Sequence, residues 1–207
     1  MAVKRTYRSE IRTTRARATR DGITVAARQL FASRGYAGTS IEMIADEAGV
    51  AVQTVYAVFG NKRAVLESLL DALDDQAGLE ELGQSLANAT PTQQAAAVAR
   101  FLMRLFSRGA DVIAAGRSAG AGDPALRALA RKGMARHHQG MTRVVQGWER
   151  AGALRANLTA ADAVAILNAI TSYEVFQHLR SAQWTLAHYE QWLGATIATL
   201  VLENDAL

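Results

Sequence analysis

The chemistry-bearing residues of this 207-residue chain are few, and the densest group is basic. Lys4, Arg5, Arg8, Arg12, Arg15, Arg17 and Arg20 stand against Glu10 alone, a charge of +6 over residues 1–20 in a chain whose net charge is +4. All the excess positive charge lies in the first third, the pattern expected where one end meets a polyanion. Other chemistries have less support. Cysteine is absent, which removes disulfides and thiolate metal ligands and suits a reducing cytoplasm. His137 and His138 are adjacent, but only His178 and His188 could join them. No ligand spacing emerges, so no metal is expected and His137 reads as a core or pocket-lining imidazole. Ser, His and Asp occur without a nucleophile elbow, so no enzyme is expected. The glycines of "GRSAGAGDP", Gly116–Pro124, follow no strand and read as a flexible connection rather than a phosphate cradle. No cofactor is expected.

The elements that position the basic end are helical. Half the residues are hydrophobic and two are Pro, an all-α composition without any run of apolar residues long enough for a membrane. Ile23, Ala26, Ala27, Leu30 and Phe31 recur as one helical stripe that Gly35 ends. Thr39 and Glu42 have capping-box spacing and open a short helix faced by Ile41, Ile44, Ala45 and Ala48, closed by Gly49. The next stretch, "AVQTVYAVFGNK", is rich in β-favouring types, yet no other segment alternates with period two to pair with it. As a helix it turns Val52, Val55 and Phe59 inward and leaves Gln53, Thr54, Tyr56 and Ala57 outside. Gly60 ends it, and Asn61 caps a helix over about 61–75 with Val65, Leu66, Leu69, Leu70 and Leu73 inward. Two short helices joined at a Gly turn, the second with polar and aromatic residues outward, predict a helix-turn-helix.

The rest of the chain predicts a larger helical domain. Residues 76–91 read as a helix end and loop, 92–108 as a helix, and 124–150 as a long helix striped by Leu126, Ala130, Met134, His137, Met141, Val144 and Trp148. Two further helices, 159–181 and 185–203, are apolar over more than one face, which predicts burial against a second copy of the chain. Ile166, Ile170, Tyr173, Trp192, Ile197 and Leu200 are the expected dimer contacts. Phe101, Leu105, Phe106, Met134, His137, Met141 and Phe176 are the expected lining of a small-molecule site, mainly apolar and therefore suited to a hydrophobic effector.

Residues 26–66, "AARQLFASRGYAGTSIEMIADEAGVAVQTVYAVFGNKRAVL", resemble the tetracycline-repressor (TetR) family of bacterial regulators. The shared pattern is Ala-Ala, Leu-Phe, Gly-Tyr, Thr-Ser, Ile-Ala, Ala-Gly-Val, Thr-aliphatic-Tyr, Phe and Lys, in order and without a gap. The resemblance implies a homodimer that binds a palindromic operator in double-stranded DNA and carries its effector site and dimer contact in the C-terminal domain. Three segments follow: a basic arm 1–16, a DNA-binding domain 17–62 and a ligand-binding and dimerisation domain 63–207. Val52, Gln53 and Tyr56 match base-facing positions; Thr39, Thr54, Tyr56 and Lys62 match phosphate-facing ones. The chemistry agrees, since Gln pairs bidentately with adenine and Val meets a thymine methyl. Arg15, Arg17 and Arg20 are added as arm residues that track phosphates or enter a minor groove. The family's helix-capping Ser or Thr is here Ala51, and Val58 replaces a frequent His or Tyr. The expected function is a cytoplasmic DNA-binding regulator, a repressor released by its effector. An architectural DNA binder, and a helical small-molecule-binding protein or enzyme, are the alternatives.

Overall fold

A computed structural model describes residues 3–119 and 123–203, with the side chains of 13–117 and 123–203. Ten helices follow one another among the described residues: α1 (Val3–Arg34), α2 (Ile41–Glu47), α3 (Val52–Phe59), α4 (Lys62–Ala77), α5 (Leu79–Asn88), α6 (Pro91–Ala119), α7 (Pro124–Arg150), α8 (Ala160–Ile170), α9 (Tyr173–Ser181) and α10 (Leu186–Val201). Among the described residues no strand forms, and a single bridge joins Leu154 to Leu202. The all-α expectation holds. The side chains of Lys4, Arg5, Arg8 and Arg12, and residues 120–122 of the Gly-rich connection, lie outside the described residues.

The backbone divides into two units, residues 1–71 with 111–130, and 72–110 with 131–207. In the first, α1 packs on α2 and α2 on α3. Ile23, Ala27, Ile44, Val55, Val65 and Leu66 are fully buried there, the stripes whose spacing announced the helices. Glycine ends these helices because the chain must reverse with positive φ: Gly35, Gly49 and Gly60 have φ of +70°, +64° and +79°. Around Gly49 the amide of Val50 donates to Ala45 and that of Gly49 to Asp46, the paired bonds of a Schellman end. Arg28 of α1 grips Asp111 through two bonds of 2.8 and 3.0 Å.

Four expectations are corrected. The N-cap of α2 is Ser40, whose hydroxyl accepts from the Met43 amide, while neighbouring Thr39 points into the core. Residues 79–88 form α5, whose Leu82 is buried; the expectation of a loop rested on interspersed Gly, Ser and Asn. Helix α6 continues to Ala119, so the first part of the predicted connection is helical. The helix expected over 159–181 is two: the Thr171 hydroxyl folds back on the Leu167 carbonyl at 2.5 Å, and Ser172 caps α9 by accepting from the Val175 amide.

The second unit is held by α10, which packs against α8 and α9. Trp148 and Tyr189 are its largest fully buried side chains. The Trp148 indole donates to Gln94 at 2.7 Å, and Gln94 in turn donates to the Leu86 carbonyl in the last turn of α5 and to the Ala89 carbonyl just after it. That chain satisfies a half-buried amide and a buried indole together.

Candidate nucleic-acid interface

Helix α3 is held by its inner face and offers its outer one. Val55 is fully buried and Phe59 nearly so, fixing the helix on its neighbours. Gln53 and Tyr56 are exposed, the latter at 48 %. Val52 and Thr54 are half-buried beside them. The start of α3 has no side-chain cap, since Ala51 has no oxygen to offer. The outer face thus presents an amide, a phenol and flanking methyls on a rigid element, a set able to hydrogen-bond base edges and phosphates and to meet a thymine methyl.

Three residues expected at DNA make contacts within the chain. Lys62 aims its ammonium at the turn before α2: Nζ donates to the Tyr36 and Thr39 carbonyls at 2.7 and 2.6 Å and stands 4.1 Å from the Tyr36 ring centre. Partial burial lowers its pKa. Arg20 lies over the Phe59 ring at 4.3 Å and donates to the Val58 carbonyl and to Ser68 Oγ. It supplies a cation where α3 ends in free carbonyls. Thr39 is 2 % exposed and donates to the Gly35 carbonyl, which leaves its hydroxyl no open surface. The resemblance singled out Thr39 and Lys62, and the basic run Arg20; here their hydroxyl and cations hold carbonyls beside α2 and α3. Arg15 and Arg17 remain exposed on α1.

Arg63 was missed. It is exposed in the first turn of α4, after Asn61 caps that helix by accepting from the Ala64 amide at 2.9 Å. The available signal was a second basic residue directly after Lys62.

The residues expected to hold a small molecule do not all converge. Phe106 and Phe176 meet at 5.4 Å between ring centres, and Met141 is buried. Phe101 instead lines a shallow hollow of about 10 Å³ with Gly78, Leu82, Glu81, Arg100 and Arg104, room for about one water. Arg104, at 2.6 Å, holds the Glu81 carboxyl below its usual range. Leu105 is half-buried, and Met134 is 59 % exposed, because its register on α7 turns it outward. His137 Nε2 lies 2.9 Å from Thr171 Oγ1. With the Thr171 proton directed to Leu167, the imidazole is the donor, and burial lowers its pKa. His138 pairs with Asn168. Among the described residues, no three His, Asp or Glu side chains gather as a metal site, and no helix is long and apolar enough to cross a membrane.

The expected dimer residues also separate. Ile197 is fully buried and Tyr173 nearly so, inside their own unit, since the apolar spread of α10 and α9 includes a core face. Ile166, Ile170 and Trp192 are half-buried, and Leu200 is 41 % exposed.

The family model described as "Bacterial regulatory proteins, tetR family" matches residues 23–69, which contain α2, α3 and the stripe of α1. No curated protein matches the sequence. Among solved structures, SmeT in complex with triclosan is 21 % identical with a TM-score of 0.76, over 91 % of this chain and 93 % of that one. A transcriptional regulator from Saccharomonospora viridis in complex with choline is 21 % identical with a TM-score of 0.71, over 89 % and 98 %. A TetR-family regulator from Syntrophomonas wolfei is 17 % identical with a TM-score of 0.73, over 88 % and 94 %. At these identities the likeness is one of fold. The chain thus carries the DNA-binding domain of the tetR family of bacterial regulatory proteins, at residues 23–69, within the all-helical fold of TetR-family regulators.

Proposed function

We propose that the protein is a transcriptional repressor that binds a pseudo-palindromic operator as a homodimer, one α3 per half-site, with half-sites about one helical turn, roughly 34 Å, apart. The observation that carries the reading is the outer face of α3, where Gln53 and Tyr56 stand exposed on a helix anchored by Val55 and Phe59. Val52, Gln53 and Tyr56 read bases; Thr54, Tyr56 and Arg63 hold phosphates, with Arg15 and Arg17 along the DNA backbone. Lys62, Arg20 and Thr39 position the two helices. A basic arm at 1–16, a DNA-binding domain at 17–62 and a domain for effector and partner at 63–207 are the functional division. Ile166, Ile170, Trp192 and Leu200 lie at the dimer contact. An effector site is supported by the fold, because two neighbours were solved with small molecules, triclosan and choline. A hydrophobic effector that lowers operator affinity by about 5–150-fold has the usual size of such coupling.

The test is selection of the operator from random DNA, followed by titration with Gln53→Ala. The variant is expected to relax specificity at one base per half-site, at a cost of about 1–3 kcal/mol. Equal losses on operator and random DNA would overturn base reading and favour an architectural binder.

A further inference from the structure

Two tyrosines share one aromatic cluster in the second unit, and only one is satisfied. Tyr173 donates to the Ala110 carbonyl and accepts from Gln177 Nε2, both at 3.2 Å. Tyr189, on α10, is fully buried, and its hydroxyl has no hydrogen-bond partner among the described residues. Its ring meets Phe176 edge-on at 5.0 Å and Trp192 at 6.1 Å. Phe176 in turn contacts Phe106 at 5.4 Å and Tyr173 at 6.1 Å. Phenylalanine at 189 would fill the same space without an orphaned donor, and such orphans are rare because they are costly. The hydroxyl therefore calls for a partner beyond the described residues.

The surroundings define that partner. We propose that Tyr189 Oη is the polar anchor of a ligand site within the aromatic cluster of α6, α9 and α10, and that its ligand is an uncharged aromatic molecule bearing an oxygen acceptor, a ketone or an ether. Burial keeps the phenol protonated, and the penalty of the unpartnered buried hydroxyl falls chiefly on its O–H donor, which a ligand acceptor relieves. A charge would lose its hydration among phenyl rings and gain too little in return. Aromatic rings suit the edges and faces that Phe106, Phe176 and Trp192 offer. Helix α9 carries two of the cluster's rings and is separated from α8 at Thr171–Ser172. Its nine residues can thus shift to admit a ligand without unwinding α8. The proposal rests on the effector reading above and specifies its chemistry.

The probe is 9-fluorenone against fluorene, one tricyclic frame with and without a carbonyl, titrated calorimetrically into the full chain and into Tyr189→Phe. The wild type is expected to bind fluorenone about 5–10-fold more tightly than fluorene, the value of one neutral hydrogen bond. Tyr189→Phe is expected to bind the two alike and to melt, without probe, at the wild-type temperature or above. Absence of a preference in the wild type, its persistence in Tyr189→Phe, or a lower melting temperature for the probe-free variant would each overturn the proposal. Operator binding and release are read separately. A lost preference with intact operator binding removes this site and leaves the regulator. Selective fluorenone binding that never releases the operator leaves the site and removes its regulatory role.

Discussion

The two units treat buried polar groups differently. In the first, the half-buried Lys62 ends on the Tyr36 and Thr39 carbonyls, the buried Thr39 on the Gly35 carbonyl, and Arg28 on the Asp111 carboxylate. In the second, the Tyr189 hydroxyl ends on nothing. A surface that must match an operator gains from a scaffold already satisfied, because every clamped carbonyl removes a way for α3 to move. An interior that must admit a ligand gains from a donor left waiting, at a cost in the empty state. On the proposed function, the contrast separates a pre-organised reading head from a receptive interior.

The largest effect tests which apolar residues of the second unit are core. Ile197→Asp places a carboxylate where nothing is exposed and is expected to cost about 4 kcal/mol or more, enough to unfold the unit. Leu200→Asp, three residues on and 41 % exposed, is expected to leave thermal stability nearly unchanged and to produce monomers in sedimentation. A folded Ile197→Asp monomer would reverse the assignment of the two faces.

Lys62 tests the first unit. Lys62→Ala removes two charge-assisted hydrogen bonds to carbonyls and is expected to destabilise the unit by about 1.5–3 kcal/mol, read by thermal melting without DNA. A lysine that serves only as a phosphate contact gives the opposite result: unchanged stability and a salt slope shallower by about 0.9.

Legibility in the sequence followed the same division. The helix ends of the first unit were visible because Gly35, Gly49 and Gly60 mark each reversal and the stripes between them have one apolar face. What remained hidden there was local or tertiary. Thr39 and Ser40 are adjacent hydroxyls, and only backbone geometry selects Ser40 as the cap. The target of Lys62 lies 23–26 residues away, beyond any spacing rule. In the second unit the break after α8 has neither Gly nor Pro, and the apolar stripe runs through it without a gap. Helix α10 mixes Ile197 inside with Leu200 outside, so periodicity alone could not divide core from contact.

The smallest effect sharpens the comparison at a single motif that both units use. Helix α9 ends as α2 does: the Trp184 amide donates to Leu179 and the Gln183 amide to Arg180, the bonding pattern of Val50 and Gly49. Both reversals need φ near +64°, but α2 supplies glycine and α9 supplies Gln183. A side chain at positive φ crowds its own carbonyl by about 1–2 kcal/mol, while glycine loses roughly 0.5–1 kcal/mol of unfolded-chain freedom. Gln183→Gly is therefore expected to raise stability by about 0.5–1 kcal/mol, and Gly49→Gln to lower it by a similar amount. Trp184 follows directly and stacks on His188 at 3.8 Å, meeting Trp192 edge-on at 5.7 Å. Strain at Gln183 thus adjoins the rings that lead to Tyr189. If Gln183→Gly melts higher while the fluorenone preference is unchanged, the strain is a local tolerance. If the preference falls as stability rises, the turn holds α9 ready to shift.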